Sequence, residues 1–384
     1  MNIYLDNAAT TRCLPEAAEA CSHVLTECYG NPSSLHTMGM NAENYLKDCR
    51  KTIASTLKTS PKEIVFTSGG TESNNLAIWG SARARKRRGR HIITTMIEHP
   101  SVYNTFAALS DEEWDVTYLP VDNNGVLSLE VLEKSLREDT VLVSVMHVNN
   151  EIGTIEPVEE IAKLIHRLSP KALFHVDAIQ SYGKLPLYPG SIGIDLLSVS
   201  GHKLHAPKGS GFLYINEKAH ILPLLYGGGQ EGTMRSGTEN VPAIAGLDVA
   251  VQEVFKDQSS NTDRMYSLRH ELIRRLSRID GISLNGYKDE RSAPHIVSLT
   301  IEGVRAEVML HALEAKGIFV SSGSACSSNR PSVSRTLTAI GLKGDALENT
   351  IRLSFSIHTT PEEIADAADA IEEQAALLSR FKRK

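Results

Sequence analysis

The stretch "ALFHVDAIQSYGKLPLYPGSIGIDLLSVSGHKLHAPKG", residues 172–209, contains two short apolar runs, each ending on polar residues. "ALFHV" (172–176) runs into Asp177 and Gln180, and "DLLSVS" (195–200) runs into Gly201, His202 and Lys203. Apolar residues on consecutive positions indicate strands covered on both faces, which is the habit of parallel sheets. In an open parallel sheet, ligands bind beyond the carboxyl ends of the strands. The residues after each run are therefore the candidates for chemistry.

The same pattern recurs along the chain. "EIVFT" (63–67), "HIITTMI" (91–97), "TVLVSVMHV" (140–148) and "GFLYI" (211–215) alternate with amphipathic stretches at 72–88, 128–137 and 157–168. Strand and helix in alternation predict an α/β fold around a mostly parallel sheet. After about residue 250 the character changes. A long amphipathic segment at about 262–278 leads to "HIVSLTI", then "AEVMLHALEAKGI", then a final helix opened by Thr360, Pro361 and Glu363 as N-cap, first-turn proline and capping-box partner. The predicted division is a large domain over 1–250 and a smaller C-terminal α/β domain over 251–384, with the first 15 or so residues packing on the smaller one.

Composition narrows the function classes. The chain has 384 residues, 41% hydrophobic and 22% charged, with a formal net charge of −6. That balance argues against a nucleic-acid binder. No apolar run reaches the length of a membrane span, and "MNIYLDNAATTR" carries no secretory leader pattern. The five cysteines, Cys13, Cys21, Cys28, Cys49 and Cys326, match neither a disulfide framework nor a zinc spacing. The expectation is a cytoplasmic protein with reduced thiols and no metal site. The basic run "RARKRRGR" (83–90) reads as a solvated helix end whose cations suit the C-terminal dipole.

Each strand end offers a polar group. "SGGTESNN" (68–75) is a glycine turn feeding a helix, where Gly70 and Thr71 would present first-turn N–H groups to an anion. It is neither a dinucleotide fingerprint nor a P-loop. His99 follows another strand, and Asn150 lies in "NNEIG". Taken singly, each of these would more often be a cap, a turn or a solvated side chain. Together, a phosphate cradle, an acid at Asp177 and a lysine 26 residues later at the next strand end are what pyridoxal phosphate requires. The lysine binds the cofactor carbon, the acid keeps the ring nitrogen protonated, and the helix start holds the phosphate.

Cys326 sits in "VSSGSACSSNRPSVSR" (320–335), among small and polar residues. A structural cysteine normally sits among aliphatics. This one reads as a thiol carried on an exposed loop.

With these residues in view, the sequence resembles the NifS/IscS-type cysteine desulfurases of the class V aminotransferase group. The resemblance spans the whole chain and includes "YLDNAATT" (4–11), "GNPSSLH" (30–36), "FTSGGTESNNLAI" (66–78), "EHPSV" (98–102), "HVNNEIG" (147–153), "RSGTEN" (235–240), "SSGSACSS" (321–328) and "IRLSFS" (351–356). It implies a fold-type I, aspartate-aminotransferase-like α/β architecture with a seven-stranded sheet in the large domain. It implies sulfur removal from L-cysteine, leaving alanine and a persulfide on Cys326. Selenocysteine lyase or another lyase or aminotransferase of this fold is the alternative enzyme reading, and a silent sulfur carrier or regulatory dimer is the non-enzyme one.

Carried over by position, Lys203 would bind pyridoxal phosphate covalently, Asp177 would pair with its ring nitrogen and Gln180 with its ring hydroxyl. Gly70, Thr71, Ser200 and His202 would hold the phosphate, joined by Thr238 from the second subunit of a homodimer. Asn150 would lie near ring and substrate, His99 would stack on the ring and move protons, and Arg352 would clamp the substrate carboxylate. An iron–sulfur scaffold or a thiolation enzyme would receive the sulfur. Leu204, His205 and Ala206 stand where many relatives carry Ile, Tyr and Gly, a change expected to alter packing and not chemistry.

Overall fold

The structure is a computed structural model that describes residues 2–322 and 333–381. Cys326 lies outside the described residues. Among them, thirteen strands run in chain order: β1 Ile3–Tyr4, β2 Ile64–Thr67, β3 His91–Thr95, β4 Asp115–Leu119, β5 Thr140–Met146, β6 Leu173–Asp177, β7 Leu196–Ser200, β8 Gly211–Ile215, β9 Ile282–Asn285, β10 Ile296–Ile301, β11 Ile318–Phe319, β12 Ser321–Ser322 and β13 Thr350–Ser354.

The central sheet has seven strands in the order β2-β8-β7-β6-β5-β3-β4. The pairs β3–β4, β3–β5, β5–β6 and β6–β7 are parallel. β8 runs antiparallel between β2 and β7. Hence β2, β3, β5, β6 and β7 all point their carboxyl ends the same way. Every residue of β3, β5, β6 and β7 is buried, which is why these strands read as unbroken apolar runs. β4 differs. It is an edge strand, exposed at Asp115 and fully buried only at Leu119, so it carries too little apolar character to announce itself.

The chain beyond residue 257 builds a second, antiparallel sheet in the order β12-β13-β10-β9. Its core joins Leu268 and Leu272 of the helix Gln258–Leu276, Ile364 and Ile371 of the helix Pro361–Leu378, and strand residues Val297, Leu299, Ile351 and Leu353. Ile3 and Leu5 belong to the same cluster, because β1 pairs in parallel with β11, Ile3 against Ile318. The larger core under the central sheet instead gathers Leu46, Ile53, Val176, Val199, Leu247 and Val251. The helix Val241–Lys256 closes that core against the helices Pro15–Thr26 and Thr37–Leu57.

Local signals explain several helix ends. Thr360 accepts from the Glu363 N–H while the Glu363 carboxylate accepts from the Thr360 N–H, the reciprocal capping box. The basic run lies at the carboxyl end of the helix Gly70–Arg85, away from its start. There Arg83 lies over the Trp79 ring and Arg85 donates to the Lys171 carbonyl. Leu204 and Ala206 are buried, and His205 packs edge-on to His358, so the departure at 204–206 is absorbed by packing.

Candidate active site

The polar groups that follow the parallel strands converge on one cavity of about 340 Å³. Its lining includes Gly70 and Thr71 after β2, His99 and Ser101 after β3, Asn150 after β5, Asp177 and Gln180 at the end of β6, and Ser200, His202 and Lys203 at the end of β7. Ala8 and Ala9 close it from the N-terminal segment, and Arg352 reaches it from β13 of the second sheet. A larger and more open hollow of about 890 Å³ lies among residues of β9, β10 and the segment 302–308. It gathers no lysine, histidine or cysteine among its lining residues, and the smaller cavity is the candidate active site.

Lys203 ends a short 3-10 turn directly after β7. Its Nζ donates to the Ala8 carbonyl at 2.7 Å and the Ala9 carbonyl at 2.5 Å. Behind it, the buried Lys184 donates to the Lys203 carbonyl at 2.9 Å. Burial, with the charge of Lys203 adding to it, lowers Lys184 to about 7.

Asp177 is 4% exposed. Its Oδ1 accepts from the Ile179 N–H at 3.0 Å and its Oδ2 from the Asn74 side-chain amide at 2.8 Å. Burial pushes its pKa up against these two donors. The charge of Lys203 also acts on it, lowering it less than the two donors do. A buried carboxylate calls for a close charged partner beside its neutral donors, and a protonated ring nitrogen is the kind of partner that completes it.

The anion end is built from backbone. Gly69 precedes the helix Gly70–Arg85 at φ 145°, and no side chain caps that helix start. A Cβ on Gly70 would come 2.2 Å from Ile179 Cδ1, so any larger residue here would have to push the Ile179 side chain aside. The uncapped first-turn N–H groups carry the positive end of the helix dipole toward the cavity. Ser200 and His202 border the same end. His202 Nδ1 lies 3.1 Å from Thr10 Oγ1, and burial, then the charge of Lys203, lowers it to about 4. Lysine, buried acid and uncapped helix start together fit pyridoxal phosphate.

Arg352 is held on two arms. One NH2 group donates to the Asn150 carbonyl at 2.7 Å and the other to Asp6 Oδ1 at 2.8 Å. Its Nε is buried and lacks a partner among the described residues. Gln180 donates to the Ala8 carbonyl at 2.9 Å, and its Oε1 lies 3.3 Å from His295 Nε2.

The candidates at 70, 71, 99, 150, 177, 180, 200, 202, 203 and 352 thus share one cavity. Thr238 does not. It lines a separate hollow of about 260 Å³ with Leu25, Tyr29 and Pro32. Described residues on either side of the segment that carries Cys326 contact Arg352, which lines the cavity, and Glu151, next in sequence to the lining residue Asn150. Ser321 of β12 pairs with Arg352, and Ser334 donates to Glu151 at 2.5 Å beside Asn150. Sequence reading missed Asp6, Ala8 and Ala9, although "YLDNAATT" was there to be read. It also missed Asn74, which sits one helical turn after Gly70 and so faces the same way.

The class-V aminotransferase family profile matches residues 3–366. A protein named cysteine desulfurase IscS from Methanosarcina thermophila is 42% identical over 97% of this chain and 91% of its own length. One of the same name from Dictyoglomus turgidum (strain DSM 6724 / Z-1310) is 40% identical over 100% and 97%. A solved structure titled NifS-like protein superposes with a TM-score of 0.92 at 38% identity, covering 98% of this chain and 100% of that one. This chain belongs to the class-V aminotransferase family, among its NifS/IscS-type cysteine desulfurases.

Proposed function

We propose that the protein is a pyridoxal-phosphate-dependent cysteine desulfurase that takes sulfur from L-cysteine, releases alanine and carries the sulfur on Cys326. The observation that carries this reading is one cavity holding Lys203, Asp177, the uncapped helix start at Gly70 and Arg352 together. Lys203 is the residue that would hold the cofactor covalently. Asp177 would face its ring nitrogen, Gln180 its ring hydroxyl, and Gly70, Thr71, Ser200 and His202 its phosphate. When bound, pyridoxal phosphate supplies the electron sink that makes a substrate Cα proton removable.

The chain's own residues do the rest. Arg352 binds the substrate carboxylate through its planar fork, with Asn150 beside it. Lys203 Nζ would be the base that takes the Cα proton. The Cys326 thiolate attacks the substrate sulfur. A sulfur–sulfur bond forms, the substrate carbon–sulfur bond breaks, and its electron pair stays with the carbon skeleton. That skeleton takes up a proton and leaves as alanine.

Leu35 and Tyr226 are 98% and 75% exposed, and Leu25 and Tyr29 are exposed beside Thr238. Apolar groups so exposed favour burial against another protein surface. A second copy of this chain is the reading they support, and it would bring Thr238 to the partner's phosphate end. The persulfide would pass to an acceptor protein such as an iron–sulfur scaffold or a thiolation enzyme. None of the four described cysteines is in a disulfide, and no helix among the described residues is long and apolar enough to cross a membrane. Both are in keeping with a cytoplasmic protein.

The test is alanine and sulfide release from L-cysteine, with a visible spectrum, in wild type and Cys326→Ala. The expected result is loss of sulfide release in the variant with the cofactor band intact. Undiminished release would favour selenocysteine-lyase-type chemistry, which does not need the thiol. A protein with no cofactor band would favour the silent carrier.

A further inference from the structure

His99 is the N-cap of the helix Pro100–Asp111, and its ring does the capping. Nδ1 accepts from the Ser101 N–H at 3.1 Å and lies 2.8 Å from Ser101 Oγ. Ser101 Oγ in turn lies 2.9 Å from the Asn74 side-chain nitrogen, and the same nitrogen is 2.8 Å from Asp177 Oδ2. Asn74 and Ser101 are both buried, so each bond matters and its direction is settled by what each atom is able to do.

The direction starts at Asp177. An ionised carboxylate only accepts, so Asn74 must turn its NH2 toward it. That leaves the Asn74 carbonyl oxygen buried without a partner among the described residues. The other N–H of the same NH2 goes to Ser101 Oγ. The serine oxygen therefore accepts, and its own proton is free to go to His99 Nδ1. The backbone N–H of Ser101 points to that nitrogen as well. Two donors meet at Nδ1, so a neutral ring must carry its proton on Nε2. A proton on Nδ1 would break the cap, and an imidazolium would in addition set a cation against the positive end of a helix dipole.

Resting on the desulfurase reading of the cavity, we infer that His99 faces its ligand as a neutral imidazole with the proton fixed on Nε2, as a hydrogen-bond donor and not a base, and that Ser101 and Asn74 are the positioning residues that fix it. Burial, then the charges of Lys203 and Arg335, lowers His99 to about 4, which works in the same sense. Nε2 has no partner among the described residues, and the ring lines the cavity. A fixed N–H there suits an anionic acceptor, such as a thiolate sulfur, and removal of the Cα proton falls to Lys203. The chain of donors also joins the two sides of the cavity, since the charge that orients it belongs to Asp177.

The test is the tautomer itself. Histidine is labelled with 15N, the His99 signals are identified by their loss in His99→Gln, and the full-length protein is measured as purified and after removal of the cofactor. The expected wild-type result is an acceptor-type Nδ1 and a protonated Nε2 in both forms, unchanged from neutral pH to about pH 5, as a ring lowered to about 4 requires. A protonated Nδ1, or an imidazolium at neutral pH, would overturn the inference. In Ser101→Ala and Asn74→Ala the Nδ1–H form should gain population, opposed only by the backbone N–H of residue 101, with Ser101→Thr restoring the wild-type spectrum. An unchanged tautomer in both alanine variants would overturn the positioning role. The wild-type spectrum and Ser101→Thr decide the matter even where an alanine variant fails to fold. Turnover of L-cysteine is a separate readout, so failure of the desulfurase reading and failure of the tautomer are told apart.

Discussion

Arg352→Lys keeps the positive charge and removes the fork, which isolates the geometry of carboxylate binding. The guanidinium has five N–H donors. The Asn150 carbonyl and Asp6 engage one on each NH2 group, and Nε is buried without a partner. Three N–H groups remain, enough for a bidentate carboxylate. A buried donor left unmade costs about 1–3 kcal/mol, and a charge-assisted hydrogen bond is worth about 1.5–3 kcal/mol. Lysine keeps one charged contact and forfeits the other, so the substrate complex should weaken by about 1.5–3 kcal/mol. That is roughly a tenfold to hundredfold drop in kcat/KM for L-cysteine. The assay runs L-cysteine beside 2-aminoethanethiol, which lacks the carboxylate. The variant should lose ground on the first and stand close to wild type on the second. Asp6→Asn, which leaves the fork in place, controls for loss of the ion pair, and the urea midpoint of each variant controls for folding. An equal fall on both substrates would refute the clamp.

Two further outcomes follow from buried titratable groups. Lys184 is lowered to about 7 by burial and then by Lys203, below its unfolded value, so the unfolded chain binds more protons between about pH 7 and 10.5 and stability rises across that window. Lys184→Met should flatten that rise and raise the unfolding free energy at pH 7, by at most about 5 kcal/mol at 1.36 kcal/mol per pH unit, read from urea denaturation; an unchanged slope would contradict this. His147 is buried, its Nδ1 has no partner, and burial lowers it to about 4, so the unfolded chain binds more protons from about pH 6.5 down to 4 and stability falls as pH drops through that range. His147→Leu should lose less stability between pH 6.5 and 4.5 than wild type, measured by chemical denaturation at each pH, and an equal loss would count against the assignment.

What was legible in the sequence had a local cause. Parallel strands buried on both faces leave consecutive apolar residues and then a polar break, so the sequence alone marks Asp177, Lys203 and His99 as strand-end residues. The capping box at Thr360 and Glu363 was visible for the same reason, since it is complete within four residues. Other elements owe their form to distant partners. β1 is two residues long and exists through pairing with Ile318 and Phe319. The helix Thr37–Leu57 buries Gly39, Ala42, Leu46, Cys49, Ile53 and Leu57, a stripe that begins with small residues and reads weakly as apolar. The Asp177–Asn74–Ser101–His99 chain joins three strand ends, and only the one-turn offset of Asn74 from Gly70 hinted at it. The lysine carbonyl contacts at Ala8 and Ala9 are backbone acceptors, which no residue type announces.

The most direct measurement is a mass spectrum of the Cys326 peptide after the protein meets L-cysteine, taken in wild type and in Lys203→Ala with alanine counted in the same samples. The expected result is one added sulfur atom on Cys326 and an equal yield of alanine in wild type, with neither in Lys203→Ala. Alanine formed without sulfur on Cys326, or sulfur on Cys326 in the lysine variant, would contradict a desulfurase built on this cavity.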